Sequence, residues 1–247
     1  MTAPMRAVIL AAGSARRMRP LTDELPKCLL SVAGRTILSR AVSILAGCGI
    51  KRITVVDGFA GDRVRSALGS EFPPSWFTFV RNPDFETTNN AYSLWLARRP
   101  EDESLLLLDA DVVFDAGVAG RLIGDEHANR LAVRCRGEIG DEDVKVQLGG
   151  DGRITDIGKH VSLDRAAGES VGLAAFSAPF GRRLFEVLER RLLREGRLNE
   201  WYESAFLELI VAGEAVYAVD VEDLRAMEVD TPEDLRRARN LFEAPAR

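Results

Sequence analysis

Within the first 110 residues, short apolar runs suited to buried strands alternate with segments whose apolar residues recur at helical spacing. This alternation restricts the fold more than any other feature of the chain. Arg6–Leu10 (RAVIL) is nearly all apolar and ends at a small-residue turn, as a strand covered on both faces does. Thr36–Gly47 spaces Ile37, Ala41, Ile44 and Leu45 on one helical face and closes on Gly47 and Gly49. A strand from Ile53, a helix over Gly61–Leu68, a strand over Phe77–Arg81, a helix over Asn90–Arg98 and a strand over Leu105–Leu108 follow. Such a β-α-β-α-β-α-β order predicts right-handed crossovers and a parallel sheet, with ligands beyond the carboxyl ends of its strands.

After Asp115 the pattern loosens. Leu131–Cys135, Lys145–Leu148, Arg153–Ile157 and Val171–Phe176 are expected as strands, with a hairpin turn at Gly149–Gly152. Helices are expected over Pro179–Arg194, Trp201–Val211 and Pro232–Phe242, and a last strand over Val216–Val219. No repeat or Gly/Ser linker divides the chain. The expectation is one domain over residues 1–247, with a nucleotide-binding half (1–115) and an acceptor-binding half (116–247).

Composition excludes several classes. At 247 residues, 46% hydrophobic and net charge −5, the chain is an ordinary acidic globular protein without the basic run that nonspecific nucleic-acid binding needs. No apolar run reaches the roughly 18–20 residues of a membrane span. No signal peptide is evident, and Cys28, Cys48 and Cys135 are too few and too scattered for a disulfide framework, so a cytoplasmic location is expected.

Three segments carry candidate chemistry. The loop Leu10-Ala11-Ala12-Gly13-Ser14-Ala15-Arg16-Arg17, continuing to Pro26-Lys27, has small residues that let backbone N–H groups approach phosphates, with Arg17 and Lys27 as cations for the same anion. It is neither a P-loop nor a dinucleotide fingerprint, and a plain basic surface loop is the alternative. Asp109-Ala110-Asp111 follows the Leu105–Leu108 strand; two carboxylates at a strand's carboxyl end suit Mg²⁺, or else form a solvated turn. In Glu228–Leu235 (EVDTPEDL), Asp230 or Thr231 reads locally as a helix cap.

The stretch Leu10–Leu38 (LAAGSARRMRPLTDELPKCLLSVAGRTIL) resembles the signature of the sugar-phosphate nucleotidyltransferase superfamily, LAAGxGxRxxPLTxxxPKxLxxVxGxxxL. The later Asp-Ala-Asp and VDTPEDL recur in the same order. Asn82–Leu94 (NPDFETTNNAYSL), with Asp143–Val146, Ile157–Lys159 and Ser170–Gly172, is similar to the phosphocholine and alkylphosphonate cytidylyltransferase branch. One departure is Ala15, where the family has its second glycine.

The resemblance implies a Rossmann-like α/β fold with a mixed, mostly parallel sheet flanked by helices. It implies Mg²⁺-dependent transfer of CMP from CTP to a small phosphorylated or phosphonate acceptor. Arg17 and Lys27 would serve the phosphates, and Asp111 and Asp230 would hold Mg²⁺ with Asp109 beside them. Leu10, Ala11, Ala12, Gly13, Ser14 and Ala15 would line the nucleotide. Asn89 and Asn90 would read the base, capping being the alternative for Asn89. Lys145 and Lys159 are candidate acceptor-phosphate contacts, or an ion pair with the acidic run before Lys145. Trp201, Tyr202 and Glu203 are candidates to receive a cationic head group, with the rings forming a cage or one of them packing into the core. His127 and His160 are expected to be structural. A sugar-1-phosphate or inositol-phosphate nucleotidyltransferase, an inactive nucleotide-binding regulatory domain, and a homodimer are the other expectations carried forward.

Overall fold

The computed structural model describes residues 5–99, 103–135 and 139–243. Strand β1 (Met5–Ala11) leads through tight turns at Arg16–Met18 and Lys27–Leu29 to a minimal hairpin, β2 (Ser31–Val32) and β3 (Arg35–Thr36), and into helix α1 (Ile37–Gly47). Then come β4 (Ile53–Asp57), α2 (Gly61–Glu71), β5 (Phe77–Arg81), α3 (Asn90–Leu96) and β6 (Ser104–Asp109). The second half runs β7 (Val112–Phe114), α4 (Ala116–Gly124), β8 (Arg130–Arg134), β9 (Lys145–Leu148), β10 (Ile154–Gly158), β11 (Gly168–Phe176) and α5 (Ala178–Glu189), which a wide turn at Arg190–Arg194 extends. It closes with α6 (Glu203–Val211), β12 (Tyr217–Asp220), β13 (Ala226–Glu228) and α7 (Pro232–Glu243).

The main sheet runs β10-β9-β11-β6-β1-β4-β5, with β8 beside β11 and β12 beside β8. β5, β4, β1 and β6 are parallel, as the alternation predicts, and β11 returns antiparallel to β6. Helix side chains cover both faces. Leu38, Val42 and Leu45 of α1, Val64 and Leu68 of α2, and Val118 and Leu122 of α4 pack on one. Leu94 of α3, Phe180 and Leu184 of α5, and Phe206 and Leu209 of α6 pack on the other. Buried on both sides, the centres of β1 (Ala7–Ala11) and β6 (Leu105–Leu108) are apolar, which is why they read as unbroken runs; Arg6 is the buried exception, bonded to Thr54, Ala97 and Glu103.

Thr36 caps α1 by accepting from Ser39 N at 3.0 Å, and Asn89 caps α3 by accepting from Asn90 N at 2.8 Å. The sequence did not reveal α4, whose Gly117, Gly120 and Gly124 mask its helical character. Nor did it reveal the short strands β7 and β13, which pair antiparallel with Glu228 opposite Val112.

One close approach fixes the loop after β1. A Cβ at Gly58 would stand 2.6 Å from the Ala12 carbonyl oxygen and 2.8 Å from Phe85 Cβ. Two main-chain segments converge there, so the clash cannot be relieved by a side-chain rotation. Gly58→Ala is expected to lower the unfolding free energy by about 2–3 kcal/mol, read from urea midpoints. An unchanged midpoint would show that the loop yields freely.

Candidate active site

A cavity of about 580 Å³ opens at the carboxyl ends of β1 and β6. Its walls include Leu10–Gly13, Ala15, Arg17, Lys27, Asn82, Asn89, Asn90, Asp109, Asp111, Lys159, Trp201, Glu203 and the segment Glu228–Asp230. Ser14, Lys145 and Tyr202 do not line it.

The loop after β1 bends through Ala15, which adopts φ 46° and ψ 49°, the left-handed region that glycine occupies at least cost. The bend is held by Met18 N and the Thr22 hydroxyl, which donate to the Ala15 carbonyl at 3.0 and 2.9 Å. The alanine therefore keeps the glycine-like turn. Relief of that strain is expected to make Ala15→Gly stabilising or neutral.

Asp111 and Asp230 lie 119 positions apart in the chain and meet because β7 and β13 pair, with Val229 N donating to the Asp111 carbonyl at 3.0 Å. Thr231 and Asp234 then close the start of α7: Asp234 Oδ2 accepts from Thr231 N at 2.8 Å, and Thr231 Oγ1 accepts from Asp234 N at 3.2 Å. The cap is Thr231, which leaves Asp230 free to face the cavity. Lys27 Nζ sits between the two carboxylates, 2.6 Å from Asp111 Oδ2 and 2.5 Å from Asp230 Oδ1, and Arg17 donates to the other oxygen of Asp230.

Burial works against the Lys27 charge, but Asp111 and Asp230 outweigh it and hold the ammonium above its usual range. Burial likewise opposes the Asp230 charge, and Lys27 and Arg17 reverse the balance and hold its carboxyl low. Glu228 completes the group: one oxygen each from Asp111, Glu228 and Asp230 lies within 4.8 Å of the others. Glu228 is itself exposed at the cavity, and the neighbouring protein together with the charges of Asp111 and Asp230 shifts its carboxyl upward. Asp111 Oδ1 is buried with no hydrogen-bond partner among the described residues. Three converging carboxylates with an unused buried oxygen fit a hard divalent cation such as Mg²⁺. Glu228 received no role from sequence; only its quoted neighbourhood signalled it.

The amide oxygens of Asn89 and Asn90 are used inside the protein, by Asn90 N at 2.8 Å and Tyr202 N at 2.9 Å. Both residues also line the cavity. Capping and base reading are thus compatible at Asn89.

The acceptor side differs from expectation in two places. Lys145 is 2% exposed, and its ammonium donates to the carbonyls of Asp141 and Asp143 at 2.7 and 3.2 Å. It fastens that loop instead of facing the cavity, and its partners are carbonyls, not a carboxylate. Tyr202 is also in the core, 3% exposed, with its hydroxyl donating to Asp109 Oδ2 at 2.5 Å. Trp201 and Tyr202 therefore form no two-ring cage: Trp201 lines the cavity without Tyr202, Phe85 being the other aromatic in its wall, and Lys159 Nζ stands 4.8 Å over the Trp201 ring while binding Glu142 at 3.2 Å. Gly172 permits this packing, since at φ +73° a Cβ would press within 3.1 Å of Asp109 Oδ2. Sequence reasoning assigned no role to Asp143, Glu169 or Arg134, all of which line the cavity; Arg134 pairs with Glu169 at 3.3 Å. His127 and His160 pair with Asp125 and Asp156, each at 2.8 Å, away from the cavity.

Burial raises the Glu203 carboxyl from 4.5 to about 7. The folded protein then keeps a proton that the unfolded chain releases. Stability from this group is full below pH 4.5 and is lost as pH rises through 7. The loss is of order 3 kcal/mol for a carboxyl buried this deeply. Glu203→Gln is expected to flatten that decline and to leave the ligand-free protein more stable than wild type at pH 8, by urea unfolding at pH 5 and pH 8. An undiminished decline in the variant would contradict it.

A sheet whose cavity sets Arg17 and Lys27 against Asp111, Glu228 and Asp230, beside a small-residue loop at its parallel strand ends, is the framework of a nucleotide-handling transferase. Residues 7–209 match the MobA-like NTP transferase domain, and the chain belongs to that family. It is 35% identical, over 98% of its length, to CMP-5'-(3-aminopropyl)phosphonate synthase of Streptomyces rubellomurinus, and spans 39% of that protein. It is 33% identical, over 83% of its length and 78% of the relative's, to 2-aminoethylphosphonate cytidylyltransferase of Lancefieldella rimae. The solved CTP:phosphocholine cytidylyltransferase of Streptococcus pneumoniae shares the fold, with TM-score 0.73 at 19% identity over 97% of this chain and 99% of that one. Among the described residues, no helix is long and apolar enough to cross a membrane.

Proposed function

We propose that the protein is a cytidylyltransferase that joins CMP from CTP to a small phosphorylated alcohol or phosphonate. The observation that carries this reading is the Lys27–Asp111–Asp230 cluster beside the small-residue loop, within one cavity. An acceptor oxygen attacks the α-phosphorus of CTP; the new P–O bond forms as the bond to the β-phosphate's bridging oxygen breaks, and pyrophosphate leaves with its electron pair. The acceptor oxygen is already anionic, so no general base is required. Catalysis of this kind is positioning plus charge stabilisation.

In this scheme the backbone of Leu10–Gly13 lies along the nucleotide, and Asn89 and Asn90 present amide donors to the base. Arg17 and Lys27 neutralise phosphate charge. Asp111, Glu228 and Asp230 would hold Mg²⁺, which when bound supplies charge neutralisation at the triphosphate. Lys159, which lines the cavity, would exchange Glu142 for the acceptor's phosphate or phosphonate.

Pyrophosphate release with CTP, UTP and dTTP against phosphocholine, 2-aminoethylphosphonate, 2-hydroxyethylphosphonate, inositol phosphate and glucose 1-phosphate tests the reading. Turnover confined to CTP and the short-chain acceptors is expected, and chelation of the divalent cation should stop it. Turnover led by UTP or dTTP with a sugar phosphate would replace it with the sugar-nucleotide reading. Nucleotide binding without any turnover would favour a regulatory domain.

A further inference from the structure

We infer that Tyr202 is a positioning residue that joins the nucleotide side of the cavity to its acceptor side, so that each substrate tightens the binding of the other. The coupling is independent of the acceptor's distal group, and it rests on the cytidylyltransferase reading.

Three hydrogen bonds lay the segment Leu198–Tyr202 against the start of α3. Asn89 N donates to the Leu198 carbonyl at 3.1 Å, Ala91 N to the Glu200 carbonyl at 3.4 Å, and Tyr202 N to Asn90 Oδ1 at 2.9 Å. The Tyr202 hydroxyl then reaches Asp109 Oδ2 at 2.5 Å, at the carboxyl end of β6. Tyr202 is buried and lines no part of the cavity, yet both of its partners, Asn90 and Asp109, do, and so do its chain neighbours Trp201 and Glu203. One core residue thus holds an asparagine proposed for the base, the carboxylate beside Asp111, and the two side chains that flank it on the acceptor side.

Coupling follows from how the segment is held. Residues 193–199, which lead into it, are exposed throughout, and Glu200 is gripped by Arg191 at 2.9 and 3.0 Å and by Arg197 at 3.2 Å. A stretch with few buried side chains, ordered by a handful of hydrogen bonds, opens at low free-energy cost. A nucleotide that fixes Asn90 and Asp109 fixes both partners of Tyr202, and with them the positions of Trp201 and Glu203. The first substrate then meets the ordering cost, and the second binds without it. Linkage makes the effect reciprocal: an acceptor held beside Trp201 and Glu203 strengthens nucleotide binding by the same factor. The hydroxyl is the separable part, because phenylalanine keeps the ring beside Phe206, at 5.0 Å between centroids, and loses only the bond to Asp109.

The test is calorimetry with Mg²⁺ and the CTP analogue whose α–β bridging oxygen is a methylene, which cannot release pyrophosphate. Its affinity is measured with and without a saturating amount of the acceptor, among those assayed above, that wild type turns over fastest. In wild type the acceptor is expected to tighten the analogue at least about fivefold, and the analogue alone to slow hydrogen exchange over residues 198–203. Tyr202→Phe should bring the tightening below about twofold and raise the acceptor's KM more than it lowers kcat. Equal affinity with and without acceptor in wild type overturns the inference and spares the cytidylyltransferase reading, which pyrophosphate release decides separately. Tightening that survives in folded Tyr202→Phe overturns the role of Tyr202, since a residue that only packs the core would leave it intact. If that variant does not fold, Asn90→Ala is expected to lose the tightening and Asn90→Asp, which leaves an oxygen for Tyr202 N, to keep it; an undiminished factor in Asn90→Ala overturns the tether. Silence of wild type toward every acceptor overturns the cytidylyltransferase reading and this inference with it.

Discussion

Lys27→Ala is expected to reduce pyrophosphate release by at least about 10³-fold, the scale seen when one preorganised charge-stabilising donor is removed from a transfer site. The ammonium is the one cation in contact with both Asp111 and Asp230 among the described residues, and it projects from the loop that borders the nucleotide. Its loss leaves two partly buried carboxylates facing each other, which destabilises the metal-free protein. Added Mg²⁺ should therefore raise the Tm of the variant more than that of wild type, where an incoming cation competes with the resident ammonium. Near-normal turnover would remove Lys27 from the mechanism. An equal Mg²⁺-induced Tm shift in both proteins would show that lysine and metal do not share the site.

Asp111→Asn is expected to raise the Mg²⁺ concentration for half-maximal activity at least about tenfold and to lower turnover about 10²-fold. Asparagine preserves the side chain's shape and removes its charge, so the fold should survive. The unpartnered Asp111 Oδ1 supplies the reason to choose this position. Asp230 is a poorer probe because Arg17 and Lys27 both lean on it, and its removal disturbs both cations at once. A Mg²⁺ titration that overlays wild type would exclude Asp111 as a ligand.

Local sequence revealed what local physics decides. β1, β4 and β6 are read from composition because their central residues are buried and almost all apolar, and β5, a half-exposed edge strand, is read from its β-branched and aromatic residues. The hairpin at Gly149–Gly152 is read from its turn chemistry, and it does join β9 to β10. The loop carrying Arg17 and Lys27 reads from sequence as a candidate anion site, a reading its resemblance to a known motif sharpens, and both side chains do line the cavity. What escaped depends on tertiary pairing. Glu228 and Asp230 face the same cavity as Asp111 only through the β7–β13 ladder, three residues per strand, too short to leave a periodic trace. Lys145 and Tyr202 are chemically suited to a binding site and were placed there by type. Which way each side chain turned depended on the carbonyls of Asp141 and Asp143 and on the carboxylate of Asp109.

The ladder between β7 and β13 also determines where this protein can be cut. Residues 7–209 carry the family resemblance and eight of the nine strands of the main sheet, yet two of the three clustered acids lie outside that span. A chain trimmed to the recognisable portion would retain its nucleotide loop and forfeit the carboxylates opposite. Fusion junctions and interdomain grafts should therefore be placed beyond α7, because the 38 residues after position 209 carry two of the three clustered acids.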